Sequence, residues 1–182
     1  MLKVANLEAI KLLLLEIPGL VRLYDGRDAT FRVSVKEWLE QTVVECEKNR
    51  MSVSGELSTL KGKMISAERG VLPLEYLSLR AKSVRRALDA MALDILARAN
   101  QSVNDALKPS WSLLADGEKL ARQIVTLAIK KGTVRIDAKP EENWRSVSND
   151  SDLGGYATAL VGLVGLYDAI ILVDRAIPEV TG

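Results

Sequence analysis

Histidine is absent from this chain of 182 residues, and cysteine occurs once, as Cys46. Without an imidazole, no serine or cysteine nucleophile can be activated by histidine, and no metal can be ligated by it. A lone thiol closes no intramolecular disulfide and builds no zinc–thiolate centre within one chain. Aromatic residues make up 4%. Trp38, Trp111 and Trp144 stand too far apart in the sequence for a ladder of rings on single-stranded nucleic acid. An excess of either charge is lacking too. The 25 basic residues face 24 acidic ones, a balance that speaks against a generic nucleic-acid coat or a strongly basic membrane-surface protein. The run Leu12–Leu15 is short and flanked by Glu8 and Glu16, unlike a secretory leader. A reducing, cytoplasmic setting is the expectation.

What the chain has is aliphatic mass. Hydrophobic residues are 48%, chiefly Leu, Ala, Val and Ile, and Leu and Ala favour helices. The expectation is a predominantly all-α, up-and-down helical bundle of five or six helices, a single domain over residues 1–182. Residues 3–17 read as a first helix ended by Pro18-Gly19. Leu20–Tyr24 and Ala29–Val33 alternate around Asp25-Gly26-Arg27-Asp28, which allows one small β-hairpin over residues 20–33, with an irregular helix connector as the alternative. Ser34 and Glu37 fit a capping box. Val35, Trp38, Leu39, Thr42, Val43 and Cys46 then fall on one helical face. A helix over Ser52–Arg69 carries Gly55 and Gly62, each costing about 1 kcal/mol relative to alanine.

After Pro73 comes the clearest periodicity. Leu74, Leu77, Ala81, Val84, Leu88, Met91 and Ile95 form a heptad seam, and the pattern extends toward Leu107 before Pro109. A further helix is expected from Ser112 or Asp116 to Lys131, stopped by Gly132. Thr133–Asp137 suggests a short strand, and Lys139–Asp150 a loop or single turn. Capped by Ser151 or Asp152, the last helix, residues 152–175, holds one charge between Leu153 and Val173, Asp168. That run is long enough for a membrane span, but its glycines suit close helix contact, and burial at the bundle core is preferred.

Four features carry possible chemistry. Glu37 and Glu40 are i,i+3 neighbours that would hold Mg2+ or Mn2+ if other carboxylates joined them; an acidic, solvated helix turn is the plainer reading. Arg80, Lys82, Arg85 and Arg86 form a basic cluster suited to an anion or an acidic partner surface, against the alternative of an ordinary charged helix face. Asp168 must be paired with an arginine or protonated if buried. Cys46 shares the apolar face of Trp38 and is expected to pack rather than react.

No catalytic constellation emerges. The leading expectation is a non-enzymatic interaction or scaffold module, self-associating through the Leu74–Ile95 seam or binding another protein. One alternative is a metal-dependent all-α nucleotide phosphohydrolase using Glu37, Glu40 and Asp89. A second is a membrane-associated protein using helix 152–175.

Overall fold

A computed structural model describes residues 3–78 and 83–181. The fold class is all-α: among the described residues there are seven α-helices and no strand. The helices are α1 (Val4–Asp25), α2 (Phe31–Lys48), α3 (Val53–Glu68), α4 (Val84–Lys131), α5 (Pro140–Asn149), α6 (Gly154–Val164) and α7 (Leu166–Thr181), with a single 3-10 turn at Leu74–Tyr76. Ala5–Lys108 form one compact unit. Pro109 onward forms another, joined by the first residues of the chain up to Val4.

Several expected boundaries move. Helix α1 does not stop at Pro18-Gly19 but runs through to Asp25. The proline removes the N–H that would reach Leu14. One residue earlier, the Leu13 carbonyl accepts a hydrogen bond from the Trp38 indole N–H at 2.8 Å, so α2 supports α1 just before the interruption. No hairpin forms over residues 20–33. Leu20 and Tyr24 belong to α1, and the Asp-Gly pair closes a helix instead. The Asp28 N–H reaches the Leu23 carbonyl and the Arg27 N–H reaches that of Tyr24, both at 2.9 Å, with Arg27 at φ +54°. That is a Schellman closure in which an arginine, not the neighbouring glycine, takes the left-handed position. Asp28 then receives the Thr30 N–H and hydroxyl, both at 2.8 Å, ahead of α2. The capping box at Ser34 is therefore corrected: α2 already begins at Phe31, and Ser34 lies within it.

In the unit formed by residues 5–108, α2 packs on α3. The α2 face read from the sequence is the one that is buried: Val35, Trp38, Leu39, Thr42, Val43 and Cys46 all lie in the core. Phe31 extends it and meets the Tyr24 ring edge-on at 5.3 Å. Ion pairs Lys36–Glu68 (3.4 Å) and Lys61–Glu40 (3.0 Å) flank the α2–α3 contact. The Ser102 hydroxyl on α4 donates to Glu56 on α3 at 2.8 Å.

The helix expected from Pro73 through Ile95 is interrupted. Pro73 is extended and precedes the 3-10 turn Leu74–Tyr76; Leu77 and Ser78 are helical, Ser83 is not, and α4 begins at Val84. Once begun, α4 continues through Pro109 to Lys131, where two separate helices were expected.

The second unit corrects three more expectations. Thr133–Asp137 is no strand. Its backbone is instead held by a side chain: Arg135 N–H donates to Asn143 Oδ1 at 3.0 Å, and Asn143 Nδ2 donates to the Arg135 carbonyl at 2.9 Å. Asn143 comes from α5, in the segment expected to be a loop, and it is buried. The last apolar run is not one helix. Gly165, at φ +86°, separates α6 from α7, and the two are bent by 118°. A side chain at that φ would be strained. No single helix among the described residues is long and apolar enough to cross a membrane; the bent pair α6 and α7 meets that measure only by length and composition. Neither Ser151 nor Asp152 caps α6: its N-cap position is Leu153, with no side-chain cap, and the Asp150 carboxylate holds the preceding turn, accepting the N–H groups of Asp152 (2.9 Å) and Leu153 (3.1 Å) and pairing with Lys131 at 2.7 Å.

Helices α5, α6 and α7 pack against one another, and α4 joins them at Gly117. A Cβ there would lie 2.7 Å from Val164 Cγ1 and 3.1 Å from Leu172 Cδ1. Overpacking of this kind costs about 1–3 kcal/mol, against the ~1 kcal/mol that alanine returns in helix propensity. Gly117→Ala is therefore expected to lower the thermal midpoint even though it replaces a helical glycine. An unchanged or raised midpoint in a calorimetric scan would show that α6 and α7 yield freely at this crossing.

Candidate interaction surfaces

The two carboxylates proposed for a metal stand on the outer side of α2. Glu37 is exposed, and Glu40 is engaged by Lys61. Asp89 is held by Arg32 (3.1 Å) and Arg85 (3.6 Å). Among the described residues no three His, Cys, Asp or Glu side chains converge in a way that fits a metal ion.

Of the basic cluster, Arg85 and Arg86 lie at the amino end of α4; Arg80 and Lys82 fall outside the described residues. The fold brings a third arginine to them that sequence reasoning missed. Arg85 Nη2 donates to the Arg27 carbonyl at 2.6 Å, across 58 residues. Arg27, Arg85 and Arg86 line one cleft of about 510 Å3.

The seam residues part company. Met91 and Ile95 are buried within the chain's own core, whereas Leu74 (86% exposed), Leu77 and Val84 face solvent; Ala81 lies outside the described residues. An intact seam for a coiled-coil partner is not what the fold presents. Between α3 and the start of α4 lies a groove of about 700 Å3, walled by Leu60, Leu72, Pro73, Met91 and Ile95. At its rim the Tyr76 hydroxyl donates to Asp94 at 3.1 Å, and Arg98 pairs with the same carboxylate at 2.9 Å. Partial burial and the negative charge of Asp94 push the Tyr76 phenol up to about 12.

Cys46 is fully buried, and burial, with the nearby Glu45 charge, pushes its thiol up to about 11. Thus Cys46 and Tyr76 both hold their protons more tightly folded than unfolded. Their contribution to stability is complete below pH 9, the ordinary thiol value. It is lost as pH rises through 9–11 for the thiol and 10–12 for the phenol. Melting curves of the Cys46→Ala variant are expected to lose less between pH 9 and 11 than those of the wild type. Parallel pH profiles would remove the thiol from this account.

Asp168 is the buried carboxylate that the sequence singled out, and the fold gives it a peptide partner. Its Oδ2 accepts the Val4 N–H at 3.1 Å. Oδ1 is buried and has no hydrogen-bond partner among the described residues. Among the described residues, none of the charge pairs includes the arginine expected opposite it. Asp168 also lies in the first turn of α7, where the helix dipole favours a negative group. It lines none of the clefts described here, and its role is to cap a helix start.

The surface that sequence reasoning misplaced is that of α6. Ala157, Leu160 and Val164 are buried, but Gly155, Tyr156, Ala159 and Gly162 are exposed. A Cβ at Gly155 or Gly162 would meet nothing within 4 Å. These glycines do not serve packing inside the chain, contrary to the expectation of a wholly buried helix. Leu166 and Tyr167 continue the exposed face past the bend, and no charged residue occurs between Asp152 and Asp168. Comparison with known proteins adds no likeness to this picture: no family model, no protein of curated function and no solved structure matches the chain.

Proposed function

We propose that the chain is a non-enzymatic interaction module that works as a homo-oligomer, with the outer face of α6 seated against the same face of a second copy. The uncharged exposed surface Gly155–Tyr167 carries this reading. A twofold contact sets each residue against an identical surface, and the segment Gly155–Tyr167 brings no charge of its own to such a contact; Lys119 and Arg122 border it beside Tyr156. Gly155 and Gly162 each cost their helix about 1 kcal/mol relative to alanine and gain nothing inside the chain. Close approach of another backbone is what glycine at i and i+7 permits. Tyr156 and Tyr167 supply the rigid amphipathic rings favoured at interfaces.

The test is sedimentation equilibrium of the wild type and of Gly162→Arg. The fold has open space at position 162, so the variant keeps the helical spectrum of the wild type. A wild-type dimer at micromolar concentration that becomes a monomer in Gly162→Arg is the expected result. A wild-type monomer, or a dimer indifferent to the arginine, sinks the reading. Flotation of the wild type with lipid vesicles, lost in Gly162→Arg, would assign the same face to a membrane instead.

A further inference from the structure

The turn after α1 and the amino end of α4 enclose the cleft that holds Arg27, Arg85 and Arg86, with Tyr24 and Ser83 on its walls. The geometry points to a binding site for the phosphate group of a small phosphate monoester. The charges there are unequally spent. Arg85 is fixed by the Arg27 carbonyl and by Asp89. Asp89 is itself matched a second time by Arg32, and Asp28 is occupied by Thr30. Asp25, the other carboxylate lining the cleft, has no ion pair among the described residues. Facing it are Arg27 and Arg86, which are exposed and have no ion-pair partner among the described residues.

A carboxylate ligand would bring one charge to two unspent guanidinium forks; a phosphate monoester brings nearly two, with three acceptor oxygens. Arginine forks bind such a group in bidentate fashion. Ser83 begins the helix, its hydroxyl accepting the Arg86 N–H at 3.3 Å. The first turn of α4 adds its dipole to the arginines. About 510 Å3 is room for the phosphate and a small organic group beside Tyr24. The site lies within residues 5–108 and the α6 face within residues 109–182, so the site is tested independently of self-association.

Isothermal titration of the whole chain with inorganic phosphate and with adenosine 5′-monophosphate, in low-salt buffer, tests the assignment. Saturable binding of both is expected. It weakens about tenfold in Arg86→Gln and further in Arg27→Gln/Arg86→Gln. Lys108→Gln alters an exposed lysine paired with Asp105, and this control binds as the wild type does. The Arg86 side chain is exposed and makes no hydrogen bond or ion pair among the described residues, so its single variant stays informative if the double variant unfolds. No saturable binding, or binding indifferent to Arg86→Gln, overturns the site. Capture of phosphatidic acid vesicles without binding of free phosphate overturns the small-molecule assignment.

Discussion

Replacing Trp38 by alanine is expected to remove about 3–5 kcal/mol of stability, the range for deleting a large buried aromatic side chain. Small domains have only about 5–15 kcal/mol in total, so the loss is a large fraction of the whole. Two effects combine here. Trp38 is the largest fully buried side chain, 1% exposed, and its loss opens a cavity beneath α2 that neighbouring Leu and Val side chains cannot fill. Its indole N–H also reaches across to Leu13, close to the point where Pro18 breaks the hydrogen-bond ladder of α1. Trp38→Phe separates the two effects. It keeps most of the volume and loses the hydrogen bond, at about 1 kcal/mol. Urea titrations followed by circular dichroism give both values. If Trp38→Ala costs no more than Trp38→Phe, the volume argument fails.

Asn143→Asp is expected to be the second large effect, although it changes a single heavy atom. The amide both accepts from and donates to Arg135. A carboxylate keeps the acceptor, loses the donor and sets negative charge against a carbonyl oxygen at a buried position. Losing one such bond and leaving the carbonyl unpaired costs about 1–3 kcal/mol, more when charge is involved. The cost carries a signature in pH. A protonated aspartic acid can donate again, so the folded state favours the proton and raises the group's pKa above that of the unfolded chain. The variant therefore recovers as pH falls through the carboxylate range and is weakest above it. Asn143→Ala also loses stability but without this recovery. Thermal midpoints of the two variants between pH 4 and 8 decide the matter; parallel profiles would rule out the reciprocal bond.

These two residues were not equally legible. The Trp38 face follows from spacing alone, because positions three and four apart must share a side of a helix. Asn143 carries no periodic signal. Its partner is a peptide group in a turn, and any polar residue in a short helix looks alike until that turn is placed. Helix ends were misread for a related reason. Asp25-Gly26 suggests a hairpin, but the left-handed residue is Arg27, and only the hydrogen bonds from residues 27 and 28 back to Tyr24 and Leu23 reveal it.

Prolines misled in the opposite direction: Pro18 and Pro109, read as helix ends, both lie inside helices, where tertiary packing outweighs the local penalty. Among the glycines of the last apolar run, Gly165 alone has positive φ, and composition does not distinguish it. Of the anion cluster, Arg85 and Arg86 were visible as neighbours, whereas Arg27 joins them only through folding. Asp168 stood out as the one charge in an apolar run, yet its partner, a peptide N–H, has no side-chain signature at all.

That hydrogen bond from Val4 to Asp168 joins groups 164 residues apart. A helix ordinarily finds its cap within a residue or two, on the timescale of local motion. The start of α1 finds this one only after a very long loop has closed, an event dominated by chain entropy. This cap of α1 is therefore expected to be completed late in folding. Exchange of the Val4 amide is expected to report on this bond to Asp168 as well as on the fraying of its own helix.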